Sequence, residues 1–228
     1  MRVGSVDSAA GLRVPVLVSQ KTIGRLSLYR RLLTNPVDES QRYIFSHQLA
    51  ALAGSTAVQV RRDLMSIGYT GSTTRGYDRH ELAGAIGRFL DDAKGTQVAL
   101  VGIGNLGRAI LAYFAGRRPK LAIVAAFDVD PAKAGRVIHG CRCYLLDELP
   151  RVAAELGITV GITAVPAAAA QEVADALVRA GVTGILNFAP HRLRVPPHVY
   201  IEDIDMTMAL EKAAYFSQQH RARLPKTM

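Results

Sequence analysis

Only two cysteines occur in the 228 residues, Cys141 and Cys143. One residue apart, they are badly placed for an ordinary disulfide, and no further thiol exists to complete a CxC metal site. No metal is therefore expected. The pair reads as two small side chains in a βα connection, in a chain suited to a reducing cytoplasm. No apolar run reaches membrane-spanning length, so no membrane association is expected. Residues 1–20 lack the charged-then-apolar order of a secretory signal and, with their Gly, Ser and Pro, read as a flexible arm. Tryptophan is absent, as in many α/β proteins, while 49% hydrophobic residues supply a core. Acidic residues are outnumbered 28 to 19 by Lys and Arg, giving a formal net charge of +9. That surplus suits an acidic partner, although many basic proteins have none.

What is present is most telling at Val98–Arg108, which reads Val-Ala-Leu-Val-Gly-Ile-Gly-Asn-Leu-Gly-Arg. A short apolar strand runs into a glycine-rich turn and then a helix. Gly102, Gly104 and Gly107 have the spacing that lets backbone N–H groups and a helix N-terminus approach a pyrophosphate. Ile103, Asn105 and Leu106 belong to the same cradle. A second strand, Leu121 to Phe127, ends at Asp128 and Val129. A carboxylate there can bond an adenosine ribose 2′-OH and would repel a 2′-phosphate, which points to NAD(H) rather than NADP(H).

The segment before this turn reads as helices. Thr22 to Leu33 carries Ile23, Leu26, Tyr29, Leu32 and Leu33 at helical spacing, and Asn35-Pro36 stops it. Ser46 can cap a second helix with Leu49, Leu52 and Ala53 on its apolar stripe, and Gly54 breaks it. Ser55 or Thr56 caps a third, running to Gly68. Two short helices across Ala-Gly-Ser make a helix-turn-helix pattern. Tyr69–Tyr77, rich in Gly and Thr, suggests a small hairpin or wing. Asp78 can cap a fourth helix through Leu90, with Leu82, Ile86, Phe89 and Leu90 buried. Ala93-Lys94-Gly95 is the joint.

Beyond the joint, apolar runs at 97–102, 121–127, 158–163, 184–188 and 199–201 alternate with helical stretches at 105–115, 146–156 and 168–180. This predicts an α/β fold with a doubly wound parallel sheet. Asp205 to His220 forms a last helix, apolar on more than one side, that is expected to pack into another subunit. The resulting domains are 21–94, 95–203 and a terminal helix and tail at 204–228.

In the third helix, Gln59, Arg61, Arg62 and Ser66 are expected on the outer face, with Val58, Val60, Leu64 and Met65 in the core. Gln and Arg match adenine and guanine edges in the major groove, and Arg30, Arg31 and Arg42 add positive charge nearby. Arg75, between Thr73, Thr74 and Gly76, suits a minor groove. Taken without this setting, the helix is an ordinary solvated basic face.

Several strings together resemble the redox-sensing transcriptional repressors of the Rex family. They are Arg25–Tyr29, Val58–Leu64 (Val-Gln-Val-Arg-Arg-Asp-Leu), Val101–Arg108, Phe127–Pro131, Val165-Pro166, Gly184–Pro190 (Gly-Ile-Leu-Asn-Phe-Ala-Pro) and Ile204-Asp205. The resemblance spans about Thr22 to Gln218. It implies a homodimer with an N-terminal winged helix, a Rossmann-type NAD(H) domain and a domain-swapped last helix. It also implies an inverted-repeat DNA operator released when NADH rises. By the same resemblance Arg61 and Arg62 fall on the DNA-reading helix, and Arg31, Tyr113 and Asp205 on a network linking domains and subunits. The nicotinamide end is expected to meet Val165, Pro166, Asn187, Phe188, Ala189 and the partner's Met206. Two positions depart from the family: where its wings usually read Gly-Thr-Arg-Gly, the matching stretch is Gly71-Ser72-Thr73-Thr74 with the arginine moved to Arg75, and Met206 replaces a frequent Phe.

Two other readings compete. An NAD-dependent oxidoreductase needs a proton donor, for which His139, His191 and His198 are the candidates; no catalytic residue is assigned among them. A CoA-binding Rossmann protein is the other, against which Asp128 argues through the nearby 3′-phosphate of CoA.

Overall fold

The computed structural model describes residues 18–34, 42–72, 74–117 and 120–223. Most of the expected arm, the Asn35-Pro36 stop and Thr73 of the wing lie outside the described residues. The chain divides into two compact units after Ala93.

The first unit opens with α1 (Gln20–Leu33). It begins two residues before the expected Thr22 because Ser19 caps it, its hydroxyl accepting from the Thr22 N–H at 3.2 Å. Next come β1 (Tyr43–Ile44), α2 (Ser46–Ala53), α3 (Ala57–Ser66), β2 (Tyr77–Asp78) and α4 (Arg79–Leu90). Ser46 does not cap α2 but is its first residue; the cap is Phe45, whose N–H donates to the Gln48 side chain at 2.8 Å. Gly54 closes α2 at a φ of 60°, a left-handed conformation that costs glycine nothing. Thr56 opens α3, its Oγ1 accepting from the Gln59 N–H at 3.1 Å.

β1 and β2 pair antiparallel, and Ser72 and Gly76 exchange backbone hydrogen bonds of 2.9 and 2.8 Å that close the wing. Leu26, Tyr29, Leu49, Val60, Leu64, Leu82 and Ile86 form the core of this unit. Phe89, expected in that core, shares the stripe of Leu82 and Ile86 but is exposed in the last turn of α4.

The second unit is a seven-stranded sheet. Its strands are β3 (Thr96–Val101), β4 (Leu121–Asp128), β5 (Val137–Ile138), β6 (Cys141–Leu145), β7 (Ile158–Thr163), β8 (Gly184–Asn187) and β9 (Tyr200–Asp203). The order is β5-β6-β4-β3-β7-β8-β9, with every pairing parallel except β5–β6. Helices α5 (Asn105–Phe114), α6 (Leu149–Leu156) and α7 (Ala167–Arg179) cover it.

The strand period of two sorts side chains into two cores. Ala99, Val101, Ala125 and Phe127 face α6 and α7, while Val98, Leu100 and Ala126 face α5 with Ile110 and Leu111. The cysteines are not in a connection: Cys141 and Cys143 point into the α5 core from β6, with exposed Arg142 between them. Burial pushes the Cys141 thiol up to about 12. α8 (Met206–Arg223) is capped by Asp205, which accepts from the Met208 N–H at 2.8 Å. Met206, Met208, Leu210, Tyr215 and Phe216 on it are all exposed in the single chain. Among the described residues no helix is long and apolar enough to cross a membrane.

Candidate functional site

From β3 the chain crosses through α5 to β4 on one side, and β7 lies against β3 on the other. Crevices at such a switch point, beyond the carboxyl ends of the strands, are where open α/β sheets bind ligands. The loops after β3 and β7 meet there. The Ala164 N–H donates to the Val101 carbonyl at 2.8 Å. A Cβ on Gly102, which holds a φ of +99°, would fall 2.5 Å from the Ala164 oxygen and 2.8 Å from Val165.

The three glycines of the turn have different reasons to be glycine. Gly102 needs its backbone angle, and Gly107 lets α5 close onto the turn, since a Cβ there would collide with the Gly102 carbonyl. A Cβ on Gly104 would meet nothing within 4 Å. Gly104 is the N-cap of α5 and gives it no side-chain cap. Asn105, Leu106 and Gly107 thus open the helix with N–H groups that have no intrahelical partner, beside open space. An uncapped N-terminus behind a residue with no side chain is the arrangement a pyrophosphate needs.

Asp128 closes the site from β4. Its Oδ2 accepts from the Ile103 N–H at 2.7 Å and the Lys133 ammonium at 2.9 Å, and its Oδ1 from the Asp130 N–H at 3.0 Å. Ile103 therefore spends its N–H on Asp128 rather than on a ligand. Burial alone would raise the Asp128 carboxyl, but Lys133 and the two N–H groups outweigh it and hold it below its ordinary value. A carboxylate has about four acceptor positions, so Oδ1 keeps one for a ribose hydroxyl. Lys133 was not expected at the site; a short 3-10 turn at Pro131–Lys133 folds it back onto Asp128. Val129 is exposed beside it.

At the far end, Phe188 packs in one cluster with Ile103, Leu106 and Ala164, and its N–H donates to the Thr163 carbonyl at 2.9 Å. Val165 is half-buried, Pro166 is exposed at the start of α7, and Ala189 is buried. Asn187 offers a ligand nothing. Its Oδ1 accepts from Thr163 Oγ1 and the Ala189 N–H, and its Nδ2 donates to the His191 carbonyl and to Asp203. All four positions are used, so Asn187 shapes the loop that carries Phe188. Met206 is exposed as the first residue of α8. Tyr113 is exposed under the Arg117 guanidinium, and Arg31 is exposed on α1 of the first unit.

The first unit presents α3. At about 100° per residue, Val58 and Met65 lie on one side of this helix and Val60 and Leu64 on the other. The structure buries Val60 and Leu64 and exposes Val58 and Met65, so the expected core of four splits. The buried stripe takes Asp63 instead, 2% exposed. Arg25 grips its carboxylate through Nε at 2.6 Å and Nη2 at 2.7 Å, and Tyr29 Oη and Gln59 Nε2 donate to it at 3.0 and 2.8 Å. Burial would raise this carboxyl, but the Arg25, Gln59 and Tyr29 bonds together bring it below its ordinary value. Burial and Asp63 push the Tyr29 phenol up to about 12.

Gln59 and Ser66, expected to face outward, are half-buried and bonded within the unit: Gln59 holds Asp63, and Ser66 Oγ donates to the Asp63 carbonyl of its own helix at 2.6 Å. Arg61 and Arg62 are exposed as expected. Arg61 Nη1 donates to Ser46 Oγ at 2.9 Å, which ties it to the first turn of α2. Arg75 is exposed at the wing tip. Arg30 and Arg42 are paired, with Asp91 and Asp78 respectively.

Residues 17–64 match the family model described as "Putative DNA-binding protein N-terminus", and residues 93–191 match a CoA binding domain model. The redox-sensing transcriptional repressor Rex of Anoxybacillus flavithermus is 39% identical over 203 residues, 89% of this chain and 95% of that protein. Its counterpart in Streptomyces coelicolor is 39% identical over 204 residues, 89% of this chain and 78% of that one. The crystal structure of RSP in complex with β-NAD+ and operator DNA aligns with a TM-score of 0.81 at 31% identity, covering 90% of this chain and 95% of that one. RSP in complex with β-NADH aligns at 0.79 and 30% identity, covering 90% and 97%.

Proposed function

The chain belongs to the Rex family of redox-sensing transcriptional repressors, and from that membership we propose how its residues divide the work. It binds NAD(H) in the crevice at the β3–α5 turn, binds an inverted-repeat operator through α3 as a homodimer, and lets the operator go as NADH rises. The observation that carries the cofactor half is the uncapped N-terminus of α5 behind Gly104, a glycine that nothing inside the protein requires.

NAD⁺ and NADH share an adenosine and a pyrophosphate and differ at a ring that is charged in one and neutral in the other. The α5 N–H groups and Asp128 hold the shared part, so they bind both forms and switch nothing. Discrimination falls to the apolar wall of Val165, Pro166 and Phe188, closed by Met206 on the helix donated by the partner. Such a wall favours a neutral ring over a charged one. Dimers read half-sites at a fixed separation, so a change in the distance between the two α3 helices lowers affinity on both halves together. Arg31, Tyr113 and Asp205 are the proposed link between the two events. A coupling of ~2–3 kcal/mol gives about a 30–150-fold change in operator affinity.

We propose no catalytic step. His139 and His198 precede β6 and β9. They lie at the amino ends of the parallel strands, opposite the edge that carries Gly102–Gly107. His191 is exposed, and its carbonyl is taken by Asn187. The place of action is the cytoplasm, where the operator lies. The test is a gel shift on a duplex selected from random DNA by the nucleotide-free protein, with NADH titrated against excess NAD⁺. Release by NADH alone is expected; equal effects of the two nucleotides contradict the reading.

A further inference from the structure

The outward face of α3 is not purely basic. Val58, Arg61, Arg62 and Met65 follow one another at i, i+3, i+4 and i+7, which is a single helical stripe. Val58 is 49% exposed and Met65 66%. One exposed apolar side chain is ordinary. Two of them bracketing both arginines of the same stripe ask for an occupant that is apolar and electronegative within a few ångströms. Within the chain no carboxylate among the described residues pairs with Arg61 or Arg62, so both guanidiniums are left for an outside acceptor. The major groove fits: guanine presents O6 and N7 to a guanidinium, and thymine presents its C5-methyl group to an apolar side chain.

We propose that Val58 and Met65 are specificity-determining residues that read thymine methyl groups on either side of the base pairs met by Arg61 and Arg62. This rests on the operator-binding reading and sharpens it. Seven residues at ~1.5 Å rise place the two side chains about 10 Å apart along the helix. At ~3.4 Å per step, the two methyl groups stand about three base pairs apart in each half-site. The tie from Arg61 to Ser46 and the buried Asp63 clamp fix the rotation of α3, so this stripe and no other faces outward.

The experiment compares thymine with deoxyuridine, which lacks only the methyl group, at each position of the selected operator at constant salt. Wild type, Val58→Ala and Met65→Ala are assayed as full-length protein; both positions are exposed and neither supports the core. Wild type is expected to lose about fourfold per half-site, or about fifteenfold with both half-sites changed, at two positions about three base pairs apart. These factors follow from the transfer free energy of one methyl-sized group. Each alanine variant is expected to lose a similar factor on the thymine duplex and to become indifferent to deoxyuridine at one of the two positions. Indifference of the wild type at every position overturns the proposal, as do alanine variants that remain as methyl-sensitive as the wild type. Failure of the underlying reading looks different: the wild type then selects no duplex at all.

Discussion

Gly104 and Gly107 look alike in the sequence, yet a side chain has opposite consequences at each. A methyl group on Gly107 collides with the Gly102 carbonyl, whereas on Gly104 it meets nothing in the protein. Gly107→Ala is expected to unfold the second unit or lower its melting temperature steeply. Gly104→Ala should melt within a few degrees of wild type and bind NADH at least about tenfold more weakly, because the methyl occupies the ligand's approach. Thermal melts with NADH titrations of both variants check this; a Gly104→Ala protein with wild-type NADH affinity contradicts the site. At this scale the sequence was readable where spacing carries the chemistry, as in the glycine turn and Asp128. It was silent on Lys133, and it offered Asn187 as a ligand contact where the structure makes it a brace of the loop. The partners of Lys133 depend on a 3-10 turn and those of Asn187 on strands and loops distant in sequence, and neither leaves a local pattern.

Among the elements, α3 shows what periodicity hides. Its apolar residues suggested one core stripe, but they form two, and the buried one accepts an aspartate because Arg25 and Tyr29 on α1 neutralise and bond it. Asp63 is held below the ordinary carboxylate value of about 4. Its contribution to stability is therefore full above that value and is lost as pH falls through the lowered folded value. Asp63→Asn should lower stability at neutral pH by up to ~3 kcal/mol, the low end for breaking a buried pair, because Arg25 stays partly solvated. It should also flatten the loss of stability on acidification, from about pH 5 downward, that proton linkage imposes on a carboxylate with a depressed folded value. Hydrogen exchange of the α3 amides from neutral to acid pH measures both; an unchanged acid slope in the variant contradicts the clamp. β6 was hidden for a related reason. Cys-Arg-Cys-Tyr-Leu alternates in and out as a strand should, but it is short and small side chains announce a core weakly.

For the whole molecule, the division into a helical unit and a parallel sheet was legible because the apolar period changes from about 3.6 to the short runs of buried strands near Gly95. α8 was legible as a helix without a home in its own chain, and every one of its described side chains is exposed. Paired Leu210→Asp and Phe216→Asp changes are expected to yield monomers in sedimentation and to weaken operator binding at least about 100-fold, since one half-site cannot replace two. Dimers that persist would place the subunit contact elsewhere. The central claim is a coupling between the nucleotide crevice and the operator helix, and coupling is reciprocal. The most direct measurement is the NADH dissociation constant of the full-length protein with and without saturating operator. The account predicts that operator weakens NADH by the same factor, about 30–150-fold, by which NADH weakens operator; an NADH affinity indifferent to DNA contradicts it.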